Sequence, residues 1–162
     1  MIKKLKIRFA VRQDMPAVFN LINELAVFER NPEQVVISIN DLKKDGFGRT
    51  PLFKCIVAEI KKEIVGMALF YPRYSTWRGP TIHLEDLIVN EKWKSNGIGM
   101  ALYKEFINYS FVNKVRRVEW VVLDWNKNAI DFYKVSGAKV LKDWRTVQMD
   151  YETMGVFLKN VD

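Results

Sequence analysis

Apolar residues along this chain keep two rhythms, and the switches between them mark out its elements. From Leu5 to Val11 they alternate well enough to predict a first strand. Over Met15 to Phe28, the residues Met15, Val18, Leu21, Ile22, Leu25 and Phe28 fall near helical spacing, with Asp14 as N-cap and Pro16 in the first turn. Asn31-Pro32 breaks that helix, a short helix is expected around Asn40 to Lys44, and Gly46-Phe47-Gly48 reads as a turn. Phe53 to Ile60 and Ile64 to Tyr74 are two strands joined by a charged turn at Lys61-Lys62-Glu63, and Gly79-Pro80 marks the next turn. Thr81 to Val89 is then a strand, and Met100 to Val112 a helix with Leu102, Phe106 and Ile107 facing inward. Arg117 to Leu123 is β-rich, Asn126 to Ser136 is helical with Gly137 ending it, and Trp144 to Tyr151 suggests a last strand.

Hairpins in the first half, followed by strand-helix-strand-helix-strand, predict an α+β (mixed α/β) fold around one sheet. With 162 residues and 49% hydrophobic content, the chain fits one domain, 1–162, with a real core. No apolar run approaches the roughly 20 residues that span a bilayer, so no membrane is expected. Arg8, Arg12 and Asp14 interrupt what would otherwise follow a basic leader, so no secretion signal is expected. The single cysteine, Cys55, lies in the run FKCIVAEI and reads as a small buried hydrophobe of a cytoplasmic protein. The net charge of +7 implies attraction to polyanions, either nucleic acid or a phosphorylated cofactor. Lys and Arg are scattered and zinc-finger and helix-turn-helix patterns are absent, so nucleic acid is not the expected partner. Lys114, Arg116 and Arg117 read as a solvated helix end.

The stretch Lys94-Ser95-Asn96-Gly97-Ile98-Gly99 joins the strand ending at Val89 to the helix beginning near Met100. A strand, a glycine turn and a helix start in that order make an anion site, because the first helical N–H groups have no partner and the helix dipole adds positive charge. Lys94 would add a point charge beside them. The pattern is neither a Walker loop nor a dinucleotide fingerprint, and on its own it reads equally as an ordinary helix start.

Two adjacent carboxylates, Glu85 and Asp86, interrupt the apolar strand Ile82 to Val89, which is costly unless they are paired, solvated or used. Strand alternation sends them to opposite faces, as groups with separate jobs rather than a proton-sharing pair. His83, the only histidine, has no metal-ligand spacing around it and reads as a packed strand residue; no metal site is expected.

Farther on, Asn126-Lys127-Asn128-Ala129-Ile130-Asp131-Phe132-Tyr133-Lys134-Val135-Ser136-Gly137-Ala138 has the form N-x-x-A-x-x-F-Y-x-x-x-G-A. With the glycine turn before it, the chain resembles the GCN5-related N-acetyltransferase superfamily. The stretches ELAVFE, DGFG, CIVAE, YSTWRGPTIHLEDLIV and LDWN extend the likeness to the diamine acetyltransferase family over almost the whole chain. Ser75-Thr76-Trp77 and Leu123-Asp124-Trp125-Asn126 resemble its thialysine-acetylating branch more than its spermidine/spermine branch, which has an acid where Ser75 stands. Lys94 stands where the family usually has Arg or Gln.

That resemblance implies a mostly antiparallel twisted sheet flanked by helices, with a splayed strand pair at an acetyl-CoA site. It implies acetyl transfer from acetyl-CoA to a primary amine of a small cationic substrate. Glu85 would take the amine's proton through water, and Tyr133 would return one to the thiolate. The backbone of Leu87, Ile88 and Val89 would follow the pantetheine arm, and Lys94, Ser95, Asn96, Gly97, Ile98, Gly99 and Met100 would hold the pyrophosphate. Asn126, Lys127 and Asn128 would complete the cofactor site. Glu29, Glu85 and Asp86 would attract the amine, and Trp77 and Trp144 would wall its pocket unless they are simply core. A homodimer is implied as well. Spermidine or spermine, and a peptide amine, are the alternative acceptors; a basic nucleic-acid-binding module without turnover is the alternative from charge alone.

Overall fold

The computed structural model describes residues 5–160, which divide into two compact units, one ending at Val121 and one beginning at Val122. The first holds a five-stranded sheet in the order β1 (Leu5–Phe9), β2 (Lys54–Ile60), β3 (Glu63–Ser75), β4 (Gly79–Val89) and β5 (Arg117–Glu119). All neighbours are antiparallel except β4 and β5. Helices α1 (Met15–Phe28), α2 (Ile39–Phe47) and α3 (Ile98–Val112) complete this unit, giving the mixed α/β class that the apolar rhythms predict.

The central strands are buried on both faces, and alternation sorts their residues. Cys55, Val57, Met67, Leu69 and Ile88 join Met15, Val18 and Leu21 of α1 and Leu42 of α2 in one core layer. Phe70 packs in tilted contact on Phe106 of α3, with ring centroids 5.1 Å apart, and on Tyr109 at 5.3 Å, whose ring also meets Phe9 of β1 at 5.5 Å. Full burial of Phe70 and Phe106 contributes about 1.5–3 kcal/mol for each side chain. The turn between β2 and β3 sets Lys61 and Lys62 in the left-handed region, at φ 50° and 70°, where a two-residue turn matches the twist of its strands.

Several expected boundaries move, each for a local reason. The Asp14 carboxylate does not cap α1; it accepts two bonds from Arg8, at 2.6 and 3.0 Å, and one from the Val11 N–H. Helix α2 runs through Gly46 and Phe47, where a turn is predicted. Ser38 caps it reciprocally with Asp41, and the Phe53 ring lies where a Cβ on Gly46 would stand, 2.6 Å away. Strand β5 stops at Glu119 rather than Leu123, because its ladder with β4 covers only Thr81–His83 against Arg117–Glu119.

The second unit holds α4 (Lys127–Val135) and α5 (Tyr151–Lys159). Asn126 caps α4 through the Ala129 N–H, and left-handed Gly137 (φ 91°) ends it. The N–H groups of Gly137 and Ala138 return to the carbonyls of Lys134 and Tyr133, the double closure that a C′ glycine allows. The last strand expected over Trp144 to Tyr151 is absent from the described residues. No ladder forms there, and Asp150 instead accepts from the Thr153 N–H and starts α5.

One glycine of the first unit is fixed by packing. A Cβ on Gly66 would stand 2.8 Å from the Ile88 carbonyl oxygen and 3.1 Å from Leu102 Cδ1, so strand β4 and helix α3 close over a bare backbone. Gly66→Ala is expected to lower unfolding free energy by about 1–3 kcal/mol in urea denaturation. A variant as stable as wild type would show that β4 and α3 can give way.

Candidate active site

The glycine turn takes its shape from two left-handed residues, Ser95 (φ 61°) and Gly97 (φ 77°). Asn96 folds its amide back onto the carbonyls of Trp93 and Lys94, at 3.2 and 3.0 Å, and Ile98 buries its side chain to anchor the helix start. Gly97 occupies the N-cap position of α3 without a side chain to cap it, and the first intrahelical bond is Ala101 N–H to the Gly97 carbonyl. The N–H groups of Ile98, Gly99 and Met100 therefore precede any intrahelical acceptor. A Cβ on Gly97 would meet nothing within 4 Å, and one on Gly99 would touch only Val89, so the turn lies open beside the end of β4. This arrangement suits a diphosphate. Lys94 pairs with Glu91 and lies 5.1 Å from the centroid of the Phe28 ring.

Strand β4 leads into that turn and separates from β5 after His83, so Leu87, Ile88 and Val89 run beyond the parallel ladder. Its ladder with β3 also shifts: Leu69 pairs with Asp86 but Phe70 pairs with Leu84, leaving Glu85 as the extra residue of a β-bulge. The bulge overturns the opposite-face expectation for the two carboxylates. Glu85 and Asp86 both line a hollow of about 290 Å³ with Glu29, Ile22, Leu25 and Asn31, and both line an adjoining one with Asp41, Asp45 and Phe53. Among the described residues, five carboxylates border the two hollows and no Lys, Arg or His does.

Crowding the carboxylates has an electrostatic consequence. Burial, then the charges of Glu85 and Glu29, push Asp86 up to about 7, while burial and the Glu85 charge raise Glu29. Glu85 itself is half-exposed. The Tyr71 hydroxyl donates to its Oε2 at 2.9 Å, and His83 Nε2 stands 3.7 Å from the same oxygen. Sequence reasoning does not find Tyr71, Asp41 or Asp45, because only the bulge and the placement of α2 bring them to this surface.

The other expected site residues are placed as follows. Trp77 lies at the tip of the β3–β4 hairpin, 80% exposed, and borders neither hollow. Trp144 is 71% exposed, so neither tryptophan is core. Asn126, Lys127, Asn128 and Tyr133 lie together at the start and along the length of α4 in the second unit, with Asn126 engaged as its cap. Among the described residues no group of three or more His, Cys, Asp or Glu could hold a metal ion, and no helix is long and apolar enough to cross a membrane.

A splayed sheet edge leading into an open glycine turn is the arrangement of an acyl-transfer fold. The chain belongs to the Acetyltransferase (GNAT) family, whose model matches residues 15–138, and it is an acyltransferase. It is 38% identical over 159 residues to the thialysine N-epsilon-acetyltransferase of Bos taurus, covering 91% of this chain and 94% of that one. The Caenorhabditis elegans protein of the same name is 36% identical over 143 residues, covering 86% and 88%. The human spermidine/spermine N(1)-acetyltransferase-like protein 1 is 33% identical over 140 residues, 82% of this chain but 20% of that longer protein. Among solved structures, an integron cassette protein from the mobile metagenome of V. cholerae superposes with a TM-score of 0.78 at 18% identity, covering 97% of this chain and 99% of that one. An aminoglycoside acetyltransferase from a soil metagenome gives 0.73 at 21%, covering 91% and 99%; both likenesses show the fold.

The position of Asp86 makes stability depend on pH. Its folded value lies above the ordinary 3.8, so the folded state holds its proton more tightly than the unfolded one. Its stabilising contribution is complete below 3.8 and is lost as pH rises through about 7. Unfolding free energy should therefore fall between about pH 4 and 7 by at most about 1.4 kcal/mol per pH unit from this group, and Asp86→Asn should remove that slope. Equal slopes in the two proteins would show that Asp86 titrates normally.

Proposed function

We propose that this acyltransferase moves an acetyl group from acetyl-CoA to a primary amine of a small cationic substrate, of the thialysine or short-diamine kind. The observation that carries the reading is the pair of adjoining hollows edged by Glu29, Asp41, Asp45, Glu85 and Asp86 in a chain of net charge +7. Negative potential confined to one concavity of a basic protein selects a compact cation. The relatives named for thialysine acetylation support the same acceptor.

An amine with a pKa near 10.4 is neutral in only about one molecule in a few thousand at pH 7, so a proton must leave before attack. Glu85 receives it through water, and Asp86 and Glu29 hold the ammonium. Acetyl-CoA, when bound, would supply an acetyl carbon activated as a thioester, whose bond to sulfur breaks as the bond to the amine nitrogen forms, so that CoA leaves as the thiol. The N–H groups of Ile98, Gly99 and Met100 hold its diphosphate, with Lys94, Ser95, Asn96 and Gly97 shaping the turn. Backbone groups of Leu87, Ile88 and Val89 follow its pantetheine arm, and one N–H polarises the thioester carbonyl. On the resemblance, Asn126, Lys127 and Asn128 bind the same arm, Tyr133 Oη gives a proton to the departing sulfur, and Trp77 and Trp144 wall the amine. The same reading makes the chain a cytoplasmic homodimer, with Cys55 as a buried thiol.

Thiol release should be measured with acetyl-CoA and a panel of thialysine, lysine, short diamines, spermidine, spermine and peptides. Thialysine or a short amine is expected to exceed spermine in kcat/KM by roughly tenfold, the worth of about one desolvated charge pair. Ser75→Asp should narrow that gap. The substitution suits the fold, because Ser75 Oγ accepts the N–H groups of Trp77 and Arg78 and an aspartate can do the same. Activity confined to peptides, or a preference for spermine, would replace this acceptor.

Two variants test the machinery. Gly97→Val puts a branched side chain at a left-handed position in the open turn, so it should abolish the rise in Tm that acetyl-CoA gives wild type. Tyr133→Phe should lower kcat by on the order of 100-fold with acetyl-CoA binding retained. Undiminished cofactor binding in the first, or turnover in the second, would remove the assigned role.

A further inference from the structure

Glu85 is half-exposed on a bulge, a setting that by itself leaves a long side chain several rotamers. It is nonetheless held on one side. The Tyr71 hydroxyl, from the neighbouring strand β3, donates to Glu85 Oε2 at 2.9 Å. The Tyr71 ring lies stacked on the His83 imidazole, with centroids 5.3 Å apart and planes at 28°. His83 is the register partner of Tyr71 across the ladder, its side chain is only 13% exposed, and its Nδ1 is buried without a hydrogen-bond partner among the described residues. The imidazole is thus packed as a wall behind the phenol, with Nε2 turned toward the oxygen the phenol already holds.

We infer that Tyr71, braced by His83, is a positioning residue that pins Glu85 Oε2 and leaves Oε1 as the oxygen that serves the hollow. The inference rests on the reading of Glu85 as the proton acceptor. Oε1 carries no hydrogen bond among the described residues, so it is the oxygen left for water or an ammonium. The bulge supplies the need for such a brace, because it removes Glu85 from the regular pleat that would otherwise set its direction. Burial and the bond to Glu85 push Tyr71 up to about 12, so the phenol stays a donor throughout the working range of pH. A donor that stays protonated over that range fixes the acceptor without competing for its proton. Misdirecting a reacting group by about 1 Å costs on the order of 100-fold in rate, which bounds what the brace is worth.

Tyr71→Phe keeps the ring and its stacking and removes only the hydroxyl. With a short cationic amine, kcat should fall on the order of tenfold while KM for acetyl-CoA stays within twofold. In a Glu85→Gln background, the same substitution should cause no further loss, because the hydroxyl acts only through the carboxylate. A kcat equal to wild type, or losses that multiply in the double variant, would overturn the inference. A second measurement does not depend on turnover. The carboxylate ¹³C resonance of Glu85, identified by its disappearance in Glu85→Gln, should move in Tyr71→Phe, and an unmoved resonance would overturn the brace. A resonance that moves in Tyr71→Phe while wild-type protein acetylates no free amine would instead refute the proposed reaction and leave the brace standing.

Discussion

Strand β4 has to satisfy two neighbours that ask for different things, and the first unit's site follows from how it does so. It pairs with β3 along its whole length, yet keeps β5 for only Thr81 to His83. A strand that loses one ladder partway along exposes backbone donors and acceptors, and these must be satisfied by water or a ligand. The bulge at Glu85 comes just after that point of separation, where the strand is free to bend. Glu85, Asp86, the apolar stretch to Val89 and the open turn at Gly97 therefore follow one another along a single segment.

Charge works against stability in the hollow. Glu29, Glu85 and Asp86 repel one another, and burial raises the cost of ionising Asp86 further. Among the described residues no basic side chain borders the hollow to offset this. Elsewhere the same chain does compensate: Arg8 bridges Asp14 and Glu59, and Glu119 is flanked by Arg73 and Arg117. The carboxylates of the hollow have no such counter-charge on its border among the described residues, so their mutual repulsion stands as a cost to stability.

Most of the fold was legible because local signals and burial agree in it. The alternation of β2 and β3, the helical stripe of α1 and the Asn126 and Gly137 boundaries of α4 each have a reason within a few residues, and each stands nearly where the pattern places it. Misplaced features depend on partners outside their own element. Asp14 is claimed by Arg8, β5 ends where its neighbour leaves, and residues 144–150 alternate suitably but form no ladder. At the site, the glycine turn was legible as a motif and the carboxylates as misfits in an apolar run. Their shared face was not, since one inserted residue reverses the period-two rule and only the pairing with β3 reveals it. Tyr71 was hidden for the same reason, because nothing in its own strand marks it as the partner of Glu85.

Helix α1 makes these local arrangements interdependent. Its C-cap residue, Glu29, borders the acidic hollow, while Glu24 within the helix accepts from the Asn90 side-chain amide at 2.8 Å and the Glu91 N–H at 2.7 Å. Phe28 lies beside Lys94, which is itself paired with Glu91. The helix is fixed beneath by Met15, Val18 and Leu21 in the core, so it is not free to shift one end without the other. Any movement that widened the hollow at Glu29 would strain the bonds that hold the segment entering the glycine turn. Preorganisation of the acidic hollow and of the glycine turn is therefore one property of the core beneath α1 rather than two independent ones.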